Sequence, residues 1–181
     1  MKRCAVSVSI VILVFKGLVA QAQEKMPAPG PEHKRLNVFA GKWTSEGEMK
    51  PSPFGPGGKF SGTSHCEWLP GGFFLVMHEE SKGAMGDMKG MAVFGYDARK
   101  KIYTYNAFDS MGNAEFYTGT LQGKTWTWSS TSNINPQGTG MSGRFILTET
   151  SPTSTTMKFE TSENGGPWKT IMEGKQTKVG P

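Results

Sequence analysis

Two short stretches of the chain place a histidine and a carboxylate two residues apart, a spacing that can hold a metal ion on a strand. They are His65-Cys66-Glu67 and His78-Glu79-Glu80. Because alternate residues of a strand share a face, each His lies beside a Glu, and His65 and His78 become diagonal neighbours if the strands pair. Imidazole and carboxylate suit zinc, so both His are candidate ligands. Solvated strand-face residues are the alternative, since this pattern arises easily by chance.

A second candidate metal set consists of methionines. The stretch AMGDMKGM spaces Met85, Met88 and Met91 three residues apart. Thioether sulfur suits Cu(I), which would make this segment a copper site. Methionine is also a flexible gap-filler at ligand portals, and a loop that leads into an apolar strand is the alternative interpretation.

No other spacing in the sequence supports catalysis or a cofactor. No grouping of Ser, His and an acid indicates a nucleophile, and no glycine-rich turn indicates phosphate binding. We therefore predict neither a catalytic residue nor a cofactor. Cys66 is expected to be a buried, inert thiol. The stretch Asp109-Ser110-Met111-Gly112 ends an aromatic strand and is expected to fix a turn, with a site at a barrel mouth as the alternative.

The N-terminus has the features of a secretory signal peptide. Lys2 and Arg3 precede an apolar run, and Ala20-Gln21-Ala22 is a small-x-small cleavage pattern. Residues 1–22 are therefore expected to be removed after Ala22, which would give a periplasmic or secreted protein. The apolar run is too short to span a bilayer, so no membrane span is predicted.

Loss of that segment changes the charge of the chain. The full sequence has 20 Lys and Arg against 15 Asp and Glu, a formal charge of +5. Removal of the signal peptide takes three of these basic residues and leaves a charge of +2. The densest remaining basic run, Arg99-Lys100-Lys101, lies in a predicted turn, so nucleic-acid binding is not predicted. Cys66 is then the one cysteine left, which excludes an intramolecular disulfide.

Short strands must position the residues named above. Residues 23–31 are Pro-rich and predict a flexible leader, and 31–40 predict one short helix. Turn residues and alternation then predict about ten strands in a single domain over 32–178. Ten sequential strands favour an all-β, up-and-down antiparallel barrel, with a two-sheet sandwich as the alternative. The predicted strands are 42–49, 58–68, 73–81, 87–97, 101–109, 114–121, 124–132, 140–150, 154–163 and 167–177.

The turn positions predict how the strands pair. A loop at Gln122-Gly123 places Gly119 opposite Trp126, and a turn at Met111-Gly112 places Asn106 opposite Tyr117. A turn at 69–72 places Cys66 opposite Leu75 and His65 opposite Val76. One face, taken as the interior, then collects the candidate cavity residues, which are Trp68, Asn106, Phe108, Glu115, Tyr117, Trp126 and Trp128.

Several stretches resemble known families. LNVFAGKWTSEG, at 36–47, resembles the short helix and Gly-x-Trp opening of lipocalin-like barrels, including fatty-acid-binding proteins and nitrobindins. LPGGFFLVMHEE, GMAVFGYDARKKIYTYNAFDSMG and LQGK resemble the uncharacterised bacterial family called domain of unknown function 1579. The resemblance implies a lipocalin-like or nitrobindin-like barrel plugged by Trp43, without an established activity. Nitrobindin-like haem binding would need a His near the end of the chain, whereas the last one is His78.

The leading functional hypothesis is an exported protein that binds a small apolar or amphipathic molecule inside the barrel, oriented by Asn106 or Glu115. The alternative for the interior is a core that its own aromatic residues fill. A barrel isomerase or hydrolase that uses Glu115 is a rival hypothesis, although a non-enzymatic role is favoured. An envelope interaction module with an outward apolar patch at Phe74 and Val76 is a third. The sequence leaves the ligand and the oligomeric state open.

Overall fold

A computed structural model describes residues 27–84, 86–130 and 140–181 of the chain. The predicted signal peptide, the predicted leader up to residue 26, and Met85 lie outside the described residues. Within them, a short helix precedes ten antiparallel strands that pair in chain order, and the first strand pairs with the last to close a barrel. The predicted up-and-down barrel is therefore confirmed. No helix in the described ranges has the length and hydropathy needed to cross a membrane.

The helix α1 (Pro31–Arg35) continues into a 3-10 turn (Leu36–Phe39). Every predicted strand has a counterpart, and its ends lie within three residues of the prediction wherever that falls on described residues, because Gly, Pro and Asn punctuate the chain where the strands turn. The predicted end of the seventh strand, at 131–132, lies outside the described residues. The strands are β1 (Gly41–Met49), β2 (Gly58–Trp68), β3 (Leu75–Gly83), β4 (Gly86–Asp97), β5 (Ile102–Asp109), β6 (Ala114–Gln122), β7 (Thr125–Ser130), β8 (Met141–Ser151), β9 (Ser154–Glu163) and β10 (Lys169–Gly180).

The helix closes one end of the barrel. Phe39 is buried among aromatic rings of the interior, 5.2 Å from Phe94 and 5.0 Å from Trp126 between ring centroids. The indole N–H of Trp43 donates to the carbonyl of Phe39 at 2.9 Å, and that of Trp68 donates to Oδ1 of Asn37 at 3.0 Å. These bonds fix the helical segment over the barrel end. The half of the barrel next to it, here called the packed half, has an interior filled by Leu36, Phe39, Trp43, Leu75, Phe94, Tyr103, Trp126 and Trp128.

Two stacked indoles form the centre of the packed half. The rings of Trp126 and Trp128 lie 5.7 Å apart and only 4° from parallel. Trp128 lies flat on Gly119, its partner across β6 and β7. A Cβ atom at Gly119 would stand 2.4 Å from the Trp128 ring, which is far inside van der Waals contact. The stack therefore requires glycine at this position.

Two predicted registers are wrong by two residues. Gly119 pairs with Trp128 rather than Trp126, and Cys66 pairs with Met77 rather than Leu75. Both errors come from misplaced turns. Between β6 and β7, for example, the two-residue loop was predicted to begin at Gln122 but begins at Gly123, whose φ is positive. A shift of two residues leaves each side chain on its predicted face. Cys66 is accordingly buried inside, as expected.

The predicted register of β5 and β6 is wrong by one residue, which inverts the faces of β5. The loop is a three-residue turn closed by Asp109 and Asn113, with Gly112 in the left-handed region at φ 89°. Tyr105 rather than Asn106 therefore pairs with Tyr117. Asn106 and Phe108, which were predicted in the cavity, lie on the outer face, and Phe108 is 40% exposed.

Asp109 holds this turn together, as its expected role requires. Its carboxylate accepts the backbone N–H groups of Met111 at 2.8 Å and Asn113 at 3.0 Å, and the side-chain amide of Asn113 at 2.8 Å. Desolvation acts to raise the pKa of Asp109, but these hydrogen bonds to the ionised form outweigh it and hold the pKa below its usual value.

We expect Gly119→Ala to destabilise the barrel by about 1–3 kcal/mol, because the added methyl group must push Trp128 off its stack. Urea unfolding would measure the loss, and near-UV circular dichroism would report the disturbed indoles. Thr120→Ala, on the outer face beside it, is the matched control and should cost less, through strand propensity alone. A Gly119→Ala protein with the wild-type spectrum and midpoint would contradict this packing.

Candidate functional site

In the half of the barrel away from the helix, here called the open half, many inward-facing residues are only partly buried. The largest inward-facing side chains of the packed half are buried, whereas several of the open half keep accessible surface, with Met141 and Thr161 as buried exceptions there. Several inward positions are glycines, such as Gly62 and Gly90, and add no side chain. The open half therefore holds the candidate site. Its partly buried inward residues include Ser64, Glu79, Tyr105, Ala107, Glu115 and Phe145.

Two tyrosines lie where the packed half meets the open half. Tyr105 and Tyr117 are cross-strand partners with ring centroids 5.4 Å apart, and Tyr105 lies 5.7 Å from Trp128. Burial, with the nearby charge of Glu79, raises the pKa of Tyr105 well above its usual value. Burial and then Glu115 likewise raise the pKa of Tyr117. Both phenols stay protonated and can donate hydrogen bonds at neutral pH.

Glu79 brings a carboxyl group to the same space. It follows Leu75 and Met77 on the inner face of β3, and its partner on β4 is Gly90. Its Oε1 lies 2.8 Å from the point where a Cβ of Gly90 would stand, so the carboxyl occupies the room that the glycine leaves. Burial, and next the charge of Asp109, raise the pKa of Glu79.

Glu115 on β6 is a second inward carboxyl of the open half. Burial, followed by the charge of Asp109, raises its pKa as well. Two carboxyl groups with raised pKa values near an ionised Asp109 make this interior unfavourable for further negative charge.

The opposite wall of the open half is aromatic. The ring of Phe145 lies 5.9 Å from Tyr117 and 4.5 Å from Phe159. Phe54, from the loop between β1 and β2, packs 6.4 Å from Phe159. A short turn with reciprocal hydrogen bonds of 3.0 Å between Ser52 and Gly55 shapes that loop. The site thus has polar groups on β3, β5 and β6 and an apolar wall on β8 and β9.

One buried indole N–H has no partner. Trp43, Trp68 and Trp126 each donate to a fixed acceptor, the last to Oε1 of Glu149 at 2.7 Å. The Nε1 of Trp128 is buried without a hydrogen-bond acceptor in the described part of the chain. An unsatisfied buried donor costs about 1–3 kcal/mol, which a bound acceptor would recover.

The predicted cavity residues are distributed over three places. Trp126 and Trp128 face inward but fill the packed half, and Trp68 fastens the helical segment. Glu115 and Tyr117 face the interior at or beside the open half. Asn106 and Phe108 lie on the outer face of the barrel, because the three-residue turn after Asp109 inverts the predicted faces of β5.

Sequence reasoning missed two residues of the open half. Tyr105 was lost through the register error in β5. Glu79 continues the inward alternation of Leu75 and Met77 along β3, and that pattern would have identified it.

Among the described candidate metal ligands, His65, His78 and Met91 lie on the outer wall and Met88 lies on the inner face, whereas Met85 is outside the described residues. His65 and His78 are exposed and directly paired across β2 and β3, and Met91 pairs with His78 from β4. Glu80 is held by Lys89 at 2.7 Å. Among the described residues, no three His, Cys, Asp or Glu side chains are placed to share a metal ion, so the zinc set with a carboxylate is not assembled.

A surface pocket of about 460 Å³ also lies on the outer wall, over β10 and β1 to β4. Its charged groups bind each other, as in Glu46–Lys175 at 2.8 Å and Glu80–Lys89 at 2.7 Å. Such paired, solvated charges offer a ligand little net electrostatic attraction. The interior remains the better candidate site.

The raised pKa of Glu79 predicts a pH-dependent stability. Because its folded-state pKa lies above the ordinary value, the folded state loses stability as pH rises from that value through the folded-state pKa. Glu79→Gln removes this loss, so we expect its Tm to exceed that of wild type by a few degrees at pH 7.

The same measurement has an internal control. At about pH 4 residue 79 is neutral in the wild type as well as in the Glu79→Gln variant, and the difference in Tm between the two proteins should vanish. Glu80→Gln, next in sequence but outward and paired with Lys89, should not raise Tm at pH 7. A Glu79→Gln variant that is less stable than wild type at pH 7 would contradict the assignment.

Comparisons with known proteins agree with the fold. The structure of Rv2717c from M. tuberculosis is similar, with a TM-score of 0.62 at 12% identity over 83% of this chain and 98% of that one. EF1p2_mFAP2b, solved bound to DFHBI, has a TM-score of 0.41 at 9% identity over 81% of this chain and 98% of that one, too low a likeness to bear on fold or ligand here. No curated protein matches significantly in sequence. A family model described as protein of unknown function (DUF1579) matches residues 28–178.

Proposed function

The chain belongs to the DUF1579 family of proteins of unknown function, and we propose that it binds one small amphipathic molecule in the open half of its barrel. The helical segment and the aromatic rings fill the packed half, which leaves the other end as the place where a ligand could enter. A barrel of this size encloses space for one small molecule where side chains do not fill it.

The unpartnered N–H of Trp128 carries this proposal. The indole is 1% exposed and lies 5.7 Å from Tyr105, the residue that separates the two halves. Buried donors without an acceptor are rare and call for an explanation. A polar group of a bound molecule, or one water beneath it, would supply the acceptor.

The lining favours an amphipathic ligand. Phe145 and Phe159 offer aromatic surface to an apolar part, and the protonated phenols of Tyr105 and Tyr117 offer donors to a polar part. Few polar groups in a mostly apolar wall are typical of sites for small organic molecules.

The charges of the interior favour a neutral or cationic head group. Glu79 and Glu115 have pKa values raised by burial and by Asp109. Of the inward-facing lysines, Lys178 lies in the packed half, 5.9 Å from the ring centroid of Trp43, and Lys169 pairs with Thr161 at the rim of the open half. An anionic head group beside Glu79 and Glu115 would meet their carboxyl groups, whereas a cation would stabilise their ionised forms.

A series of decyl compounds tests this proposal. Decanol, decyltrimethylammonium and decanoate share one apolar chain and differ only in charge. We expect 1:1 binding of the neutral and cationic compounds at pH 7, seen as quenching of tryptophan fluorescence. Decanoate should bind roughly tenfold more weakly, or about 1.4 kcal/mol less favourably. Failure of all three to bind, or tightest binding of decanoate, would reject the proposal.

Matched variants locate the site within the barrel. Glu79→Gln should reduce the advantage of decyltrimethylammonium over decanol, because one of the two carboxyl groups that a cation would ionise is gone. Glu80→Gln, on the outer face of the same strand, should leave that advantage unchanged. Equal effects of the two substitutions would place the ligand on the outer wall.

We also propose that the protein is exported. The proposal rests on the basic start, the apolar run and the cleavage pattern at Ala20-Gln21-Ala22. Expressed in its own host, the protein should be recovered outside the cytoplasm with Gln23 as its first residue, which intact mass measurement would check. A full-length cytoplasmic chain would contradict this.

A further inference from the structure

Three potential metal ligands stand side by side on the outer wall of the barrel. His65 on β2 pairs directly with His78 on β3, and His78 pairs directly with Met91 on β4. Side chains directly opposite each other on antiparallel strands have Cβ atoms about 4.5–5.5 Å apart. Both histidines are exposed, and Met91 is 39% exposed. An ion above the central His78 is therefore within reach of the imidazole on one side and the thioether on the other.

The ligand set selects the metal. Imidazole binds zinc, copper, iron and nickel, whereas a thioether selects soft Cu(I). Zinc would need further nitrogen, thiolate or carboxylate ligands. No third His, Cys, Asp or Glu of the described residues is placed to complete such a set. Two imidazoles and one thioether fit copper best.

The surroundings leave this row free to bind a cation. Lys42 is the partner of His65 on β1. The Cδ atom of Lys42 lies 3.7 Å from the point where a Cβ of Gly180 would stand. The Lys42 side chain therefore runs toward β10 and away from His65. Lys89, beside Met91 on β4, is bound by Glu80.

The opposite end of the row is apolar. Met91 pairs with Phe108 of β5, which is 40% exposed. Methionine sulfur makes favourable contacts with aromatic rings. This environment suits a soft ion held partly by sulfur.

We propose that His65, His78 and Met91 form a binding site for Cu(I) on the outer wall of the barrel. The site does not depend on the proposed interior ligand, because alternate residues of β2, β3 and β4 face opposite sides of the wall.

The test is an anaerobic titration of the purified protein with Cu(I) against a chromogenic Cu(I) chelator, followed by X-ray absorption at the copper edge. We expect one Cu(I) per chain, with nitrogen neighbours and one sulfur neighbour. Met91→Leu should weaken binding roughly tenfold or more and remove the sulfur signal. His78→Gln, which removes the central ligand, should abolish stoichiometric binding.

Met88→Leu is the matched control. Met88 lies on the same strand but on the inner face, so its substitution should leave Cu(I) affinity and the sulfur signal unchanged. Thermal melting without metal would show that each variant is folded. Zn(II) affinity should be the same in wild type and Met91→Leu, because zinc does not use the thioether.

Three results would overturn the proposal. They are the absence of stoichiometric Cu(I) in the wild type, a sulfur signal that survives in Met91→Leu, and equal loss of Zn(II) and Cu(I) affinity in that variant. The last would mean that Met91 acts only through the packing of the histidines.

Discussion

The stacking of two indoles inside a closed wall is the interaction on which the rest of this structure depends. Trp126 and Trp128 are almost fully buried and nearly parallel, and Trp128 fits because Gly119 has no side chain where its ring lies. The stack also fastens the helical segment. Glu149 accepts the N–H of Trp126 and at the same time pairs with Arg35 at the end of the helix. One end of the barrel is thereby sealed by packing and by hydrogen bonds together.

Because one end is sealed in this way, the other end does not need the same packing. Aromatic residues bury large areas and supply much of the hydrophobic stabilisation of a domain. With that burial concentrated beside the helix, the remaining inward positions need not pack. The change is visible along β3, where the inner face runs from Leu75 through Met77 to Glu79. The inward residues of β3 near the helix thus belong to the apolar core, and those farther along the strand are polar and line the open half.

Much of this architecture could be predicted from the sequence, because turn residues mark the ends of every strand and alternation marks their faces. Which residues line the candidate site depends in addition on the number of residues in each turn. Two-residue errors left Cys66 on its correct face. The one-residue error after Asp109 placed Asn106 and Phe108 inside and removed Tyr105, since nothing local distinguishes a two-residue from a three-residue turn there except how Asp109 and Asn113 close it. Trp128 could be placed inside, but its missing acceptor is visible only in three dimensions.

Two neighbouring glutamates show why face matters more than residue type in this barrel. Burial raises the pKa of Glu79, whereas a hydrogen bond and then the charge of Lys89 lower the pKa of Glu80, which is exposed. The same alternation places His65, His78 and Met91 on the outer face of the barrel wall, whereas the open half lies on its inner face. A single layer of strands therefore presents a different set of chemical groups on each side.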